Sequence, residues 1–130
     1  IPGIPVIYYG DDIGMVGAGD PDNRRQMIFR ELSRHEKNVR KNLKSLLSLR
    51  NTHLSLIYGE YNLLSISDTT YAFERRYLDN NVIVVFNKGN TSVDIPLKSN
   101  LKNYNTNFNS KIKDNTVSLT PFSFEILTLK

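Results

Sequence analysis

"IPVIYYGDDIGMVGAGDPDNRR", Ile4 to Arg25, is the stretch that decides how the first part of the chain folds. It opens on a short apolar run, Ile4–Tyr9, rich in β-branched and aromatic residues and bounded by Pro2-Gly3 and Gly10-Asp11. A run with no polar alternation predicts a strand covered on both faces, as in a parallel sheet. Gly10–Asn23 then predicts a long loop rich in glycine and acids. A loop of that length inside a compact domain usually carries function.

Downstream, Ser33-Arg34-His35-Glu36 has the spacing of a capping box, in which the serine hydroxyl and the glutamate carboxylate each serve the other's backbone N–H. Val39, Leu43, Leu46 and Leu47 follow on one face, with Lys and Arg on the other, so a helix is expected up to about Asn51. Strand, loop and helix make one βα unit. Such a unit cannot cover both faces of its own strand, so its partners are expected upstream of Ile1. The opening Ile1-Pro2-Gly3, without an initiator Met, reads as the start of an excised piece.

From Tyr58 the period changes. Tyr61–Ile66, Thr70–Tyr77, Asn81–Phe86, Thr91–Ile95, Tyr104–Phe108, Thr116–Leu119 and Phe122–Leu129 are short strand candidates. Turn signals part them at Ser67-Asp68, Asp79-Asn80-Asn81, Asn87-Lys88-Gly89-Asn90 and Asp114-Asn115. In "TYAFERRY" and "FSFEILTL" apolar and polar residues alternate, which suits antiparallel sheets with one wet face. The expected class is therefore α+β, a βα unit over residues 1–53 followed by an all-β antiparallel sandwich over 54–130.

The 130 residues contain no Cys, which excludes disulfides and thiolate metal sites. No apolar run is long enough to span a membrane, and no membrane partner is expected. The net charge of +4 is concentrated between Arg24 and Arg50, where nine basic residues meet only Glu31 and Glu36. A basic run can attract nucleic acid, but few aromatics interleave with these charges. A solvated helix face is the simpler reading, and no nucleic-acid partner is expected.

The loop could in principle hold an ion, a phosphate or a sugar. Asp20, Asp22 and Asn23 offer oxygens to calcium, but the EF-hand spacing is missing and Arg24 and Arg25 repel a cation. Gly14, Gly17 and Gly19 lack the order of a dinucleotide fingerprint, and no Lys-Ser/Thr follows. A sugar fits the residue types better, because carboxylates accept from hydroxyls and guanidinium donates in a fork. Tyr8 and Tyr9 add aromatic faces just before the loop. The competing reading is an Asp–Arg pair that staples a surface loop. No metal or cofactor is expected. His35 and His53 suggest no ligand set and read as structural. Tyr58, Tyr61, Tyr71 and Tyr77 read as half-buried strand residues before they read as starch platforms.

"GIPVIYYGDD" followed by "GDPDNRRQM" resembles the end of the catalytic barrel in the α-amylase family, glycoside hydrolase family 13. Gly3, Pro5, Tyr8 and Gly10 match that family's last-strand motif, and Asp20, Pro21, Asn23 and Arg24 match its D-P-x-N-R turn. Where the family often has Glu, this chain has Asp12, and Gln26-Met27-Ile28-Phe29 departs in part from the residues that follow the turn. The flavour is similar to neopullulanase- and cyclomaltodextrinase-type members.

The resemblance implies the last strand, rim loop and last helix of a (β/α)8 barrel over 1–53, then the family's C-terminal sandwich over 54–130. It implies that Asp20 and Arg24 bind substrate, an α-glucan, on the rim where β/α barrels place their active sites. The retaining mechanism needs two carboxyl groups on earlier strands, and neither has a counterpart here. Asp11 and Asp12 read as loop and supporting groups. The chain is therefore expected to contain no catalytic residue and to be inactive alone. The alternative is a non-catalytic sandwich that stabilises the barrel or binds glucan. Deprived of the upstream barrel, Ile4–Tyr9 and the helix stripe invite self-association.

Overall fold

The computed structural model describes residues 3–130, and these form two compact units, Gly3–Thr52 and His53–Lys130. The first contains a helix, α1 (Arg34–Thr52). Its capping box closes reciprocally, with Ser33 N–H donating to Glu36 Oε2 at 2.7 Å and Glu36 N–H donating to Ser33 Oγ at 3.3 Å. The bond from Ser33 holds the Glu36 carboxyl below its ordinary pKa. Val39, Leu43, Leu46 and Leu47 are only half-buried, and α1 contains no fully buried residue.

The expected strand at Ile4–Tyr9 is irregular backbone that runs into a turn at Tyr9, with no sheet partner. Ile4 and Val6 are 88% and 89% exposed. A strand exists only through a neighbour that takes up its N–H and C=O groups. Within Gly3–Thr52 no such neighbour is present among the described residues.

The His53–Lys130 unit opens on a one-turn helix, α2 (Ser55–Tyr58), too short for periodicity to announce. Gly59 ends it at a close approach, since a Cβ there would collide with the Ser55 carbonyl oxygen. Arg75, itself buried, donates to the Gly59 carbonyl oxygen through Nε and Nη2 at 3.0 and 2.8 Å. Eight strands follow: β1 (Glu60–Ile66), β2 (Thr70–Tyr77), β3 (Asn80–Asn87), β4 (Val93–Pro96), β5 (Tyr104–Thr106), β6 (Lys111–Lys113), β7 (Thr116–Leu119) and β8 (Ser123–Leu129). They form two antiparallel sheets, ordered β1-β2-β3-β8-β5 and β4-β7-β6. The α+β class and the antiparallel sandwich expected from sequence are what the chain adopts.

Ala72, Ile83, Val85 and Leu127 of the larger sheet meet Ile95, Val117 and Leu119 of the smaller, and Leu97 and Leu101 complete this core. Burying a leucine or isoleucine completely stabilises by roughly 1.5–3 kcal/mol. On the other face of the larger sheet, Phe73 and Val84 are also buried, so β3 is covered on both sides. An aromatic row crosses that face, with Phe73 against Tyr61, Tyr71 and Phe86, and Phe86 against Phe124. The Tyr61 and Tyr71 hydroxyls are hydrogen-bonded to each other.

Two local readings change. The β2–β3 turn is Leu78-Asp79, with Leu78 at φ 50°, and Asn80 and Asn81 belong to β3. Both asparagines are drawn into the sheet by their side chains: Asn80 accepts from the Ser55 N–H and hydroxyl, and Asn81 donates to Glu74. Strand β6 has a single apolar residue and no sequence signal of its own. Its only trace was the Asp114-Asn115 turn that joins it to β7.

Candidate functional site

The loop of the Gly3–Thr52 unit is built by its own polar groups. Tyr8 N–H donates to Asp11 Oδ2 at 3.0 Å, and Asp11–Ile13 forms a 3-10 turn. Gly10 enters it at φ 89°, where a Cβ would lie 2.9 Å from that of Met15. Ile13 is fully buried, and Asp12 reaches α1, where Arg40 Nε and Nη2 donate to its Oδ2 at 3.0 Å each. The loop and helix are thus tied by one apolar plug and one charge-assisted contact.

The turn that follows contains a cis Asp20–Pro21 bond and a second 3-10 turn over Asp22–Arg24. Asp22 accepts from Ala18 N–H at 2.8 Å and from Arg25 in a fork, Nε to Oδ1 at 2.8 Å and Nη2 to Oδ2 at 2.9 Å. These bonds, the Arg25 contact first, hold the Asp22 carboxyl below its ordinary pKa and raise that of Arg25. The Tyr9 hydroxyl donates toward the carbonyl oxygens of Arg25 and Asn23, at 3.0 and 3.3 Å. Partial desolvation, with help from Tyr8, raises the Tyr9 pKa. The two tyrosine rings lie 4.5 Å apart, centroid to centroid.

Asp20 and Arg24, singled out from sequence, are brought together: Arg24 Nη2 lies 2.7 Å from Asp20 Oδ1 and 2.8 Å from Oδ2. Their side chains remain 58% and 70% exposed, against 41% and 47% for Asp22 and Arg25 of the forked pair beside them. A guanidinium has five N–H donors and a carboxylate about four acceptor positions, so both retain capacity toward hydroxyl groups from solution. Sequence reasoning missed the division of labour, in which Asp22–Arg25 and Asp12–Arg40 hold the loop. Spacing alone cannot make that choice, because Asp20 and Asp22 both have an arginine within one helical turn. Among the described residues no group of three or more His, Asp or Glu could hold a metal ion. No described helix is long and apolar enough to cross a membrane.

No family model matches the chain. Curated proteins do. A cyclomaltodextrinase of Thermoanaerobacter pseudethanolicus is 44% identical over 85 residues, 65% of this chain and 15% of that protein. Neopullulanase 2 of Thermoactinomyces vulgaris is 41% identical over 87 residues, again 65% of this chain and 15% of its own length. Among solved structures, the α-amylase of Geobacillus thermoleovorans complexed with acarbose superposes with a TM-score of 0.82 at 29% identity, covering 99% of this chain and 30% of that one. The chain belongs to the α-amylase family. It corresponds to the C-terminal region of these proteins and spans 15% of the length of both curated relatives. Within that family, the neopullulanase and cyclomaltodextrinase types anticipated from sequence are among its relatives, beside amylopullulanase and cyclomaltodextrin glucanotransferases.

Proposed function

We propose that this chain is the C-terminal part of a retaining glycoside hydrolase that cleaves α-glucosidic bonds in starch-derived glucans such as maltodextrin, pullulan or cyclodextrin. Residues 1–53 supply the last strand, rim loop and last helix of the catalytic barrel, and 54–130 the C-terminal sandwich. The names of the relatives support the substrate class. The carrying observation is that Asp20 and Arg24 stay open to solvent while Asp22 and Asp12 take on the structural contacts of the same loop.

In this reading Asp20 accepts from, and Arg24 donates to, hydroxyls of a glucose unit, and the pair positions the chain for cleavage elsewhere. Orientation of this kind accelerates a reaction without proton transfer, and a displacement of about 1 Å can cost on the order of 100-fold. The nucleophile and the acid/base, about 5–5.5 Å apart in a retaining enzyme, come from earlier barrel strands. The 130-residue chain is inactive alone, and its segment Ile4–Tyr9 pairs as a strand with the rest of the barrel in the longer protein.

The test uses both forms. The longer protein should hydrolyse maltodextrin, and Asp20→Ala or Arg24→Ala should lower its kcat/KM by roughly 10- to 100-fold with the fold intact. Unchanged kcat/KM in both variants would remove the two residues from the site. Hydrolysis by the purified 130-residue chain above a matched blank would overturn its inactivity.

A further inference from the structure

A second place in the molecule has the chemistry of a sugar site, and it lies wholly within the His53–Lys130 unit. A cavity of about 330 Å³ opens between the smaller sheet and the start of β8. Ligand sites begin near 300 Å³ and combine apolar walls with a few convergent polar groups. Here the apolar wall is Phe108 and Phe124, half-buried, with ring centroids 4.6 Å apart. They end the aromatic row that crosses the larger sheet through Phe86.

Besides the hydroxyls of Ser92, Ser110, Thr120 and Ser123, three polar side chains matter most. Asp94 accepts from Ser118 Oγ at 2.6 Å through Oδ1, which leaves Oδ2 for another donor. Lys111 and Asn109 also line the cavity, and among the described residues neither side chain has a hydrogen-bond or ion-pair partner. Asn109 is held at φ 67°, a left-handed conformation that costs a non-glycine residue energy. An acceptor, an ammonium donor and an amide that does both are the inventory that vicinal hydroxyls call for. An aromatic wall takes the apolar face of a pyranose ring.

We infer that this cavity is an accessory binding site for an α-1,4-glucan chain, holding one or two glucose units apart from the barrel rim. The sugar stacks on Phe124 and Phe108, its hydroxyls donate to Asp94 Oδ2 and accept from Lys111 Nζ, and Asn109 bridges two hydroxyls. The choice of glucan rests on the function proposed above. The site would hold a polymeric substrate near the enzyme while the catalytic groups act on another part of it.

The experiment uses the 130-residue chain, amylopectin embedded in a native gel, and maltoheptaose in solution. The chain should be retarded by amylopectin, maltoheptaose should relieve the retardation, and cellohexaose, with β-linkages, should not. Maltoheptaose should shift the backbone NMR signals of Asp94, Asn109, Lys111 and Phe124. Asn109→Gly keeps the left-handed backbone, and together with Lys111→Gln it should weaken binding at least about fivefold at an unchanged melting temperature. Phe108→Ala gives a second, independent loss. Unretarded migration, unaltered binding in the double variant, or NMR shifts confined to Asp20–Arg25 would each overturn the assignment. Hydrolysis of maltodextrin by the longer protein without retardation of this chain would sink the cavity and spare the proposed function. Retardation without any such hydrolysis would do the reverse.

Discussion

The two units of this chain solve the same problem with opposite success. His53–Lys130 covers its apolar residues: nine buried residues from two sheets and their connections form one core. Gly3–Thr52 buries Ile13 completely but leaves Ile4, Val6 and Phe29 at 88%, 89% and 79% exposure. The difference is one of partners. An antiparallel sandwich needs only its own strands, joined by short turns, to pair every central backbone group. A βα unit has one strand, and a strand meant to be covered on both faces needs neighbours that a single unit cannot make. The same physical rule yields a closed domain in one case and, in the other, an open one held by polar contacts.

The sharpest way to break this comparison is to delete apolar volume in each unit. Leu127→Ala, in the sandwich core, should cost about 3 kcal/mol, whereas Leu46→Ala on the half-buried face of α1 should cost less than about 1 kcal/mol. Urea unfolding followed by tyrosine fluorescence measures both, and equal losses would show that α1 is as well covered as the core.

Next in size is Glu125→Gln. The Glu125 side chain is fully buried and accepts from four backbone N–H groups, those of Asn107, Phe108 and Ile126 on Oε1 and of Ser110 on Oε2. An amide would turn its own NH2 toward one of these donors, so a loss of roughly 2 kcal/mol is expected. Amide exchange should rise first at Asn107, Phe108 and Ser110. An unchanged exchange pattern there would contradict the lock.

A smaller effect concerns pH in the open unit. The folded-state pKa of Asp22 lies below its ordinary value of 3.8, so its contribution is present above that value and is lost as pH falls through the folded pKa. The Ala18 amide signal should follow that titration with a midpoint below 3.8. A midpoint above it would mean that the Arg25 fork does not hold in solution. Smallest of all, Ser33→Ala removes half of the capping box and should speed exchange of the Glu36 amide about fivefold, leaving the sandwich untouched. A change that spreads to β-strand amides would argue that the units unfold together.

Much of the candidate site was readable from residue types. The capping box, the stripe on α1 and the nearness of Asp20 to Arg24 all follow from spacings within one or two turns. What spacing could not decide was which of two neighbouring aspartates would hold the loop. That depended on the Ala18 N–H, which donates to Asp22 and not to Asp20. Nor could it foresee the cavity beside Phe124, whose walls come from β4, β6, β7 and β8 and from Phe108 and Asn109 beyond β5.

Local order in this protein, then, was settled by the chain alone: helix ends, most hairpins, the alternation along β2 and β8, and the family motif on the loop. These depend on interactions between residues a few positions apart, which a linear pattern records directly. Tertiary structure decided the rest: that Asn80 serves a strand, that Lys111–Lys113 becomes one, that Glu125 is caged, and that Ile4–Tyr9 joins no sheet. Each of these turns on hydrogen-bond donors and acceptors brought together, or withheld, by distant parts of the chain, and a backbone group has no preference among partners until one is within reach.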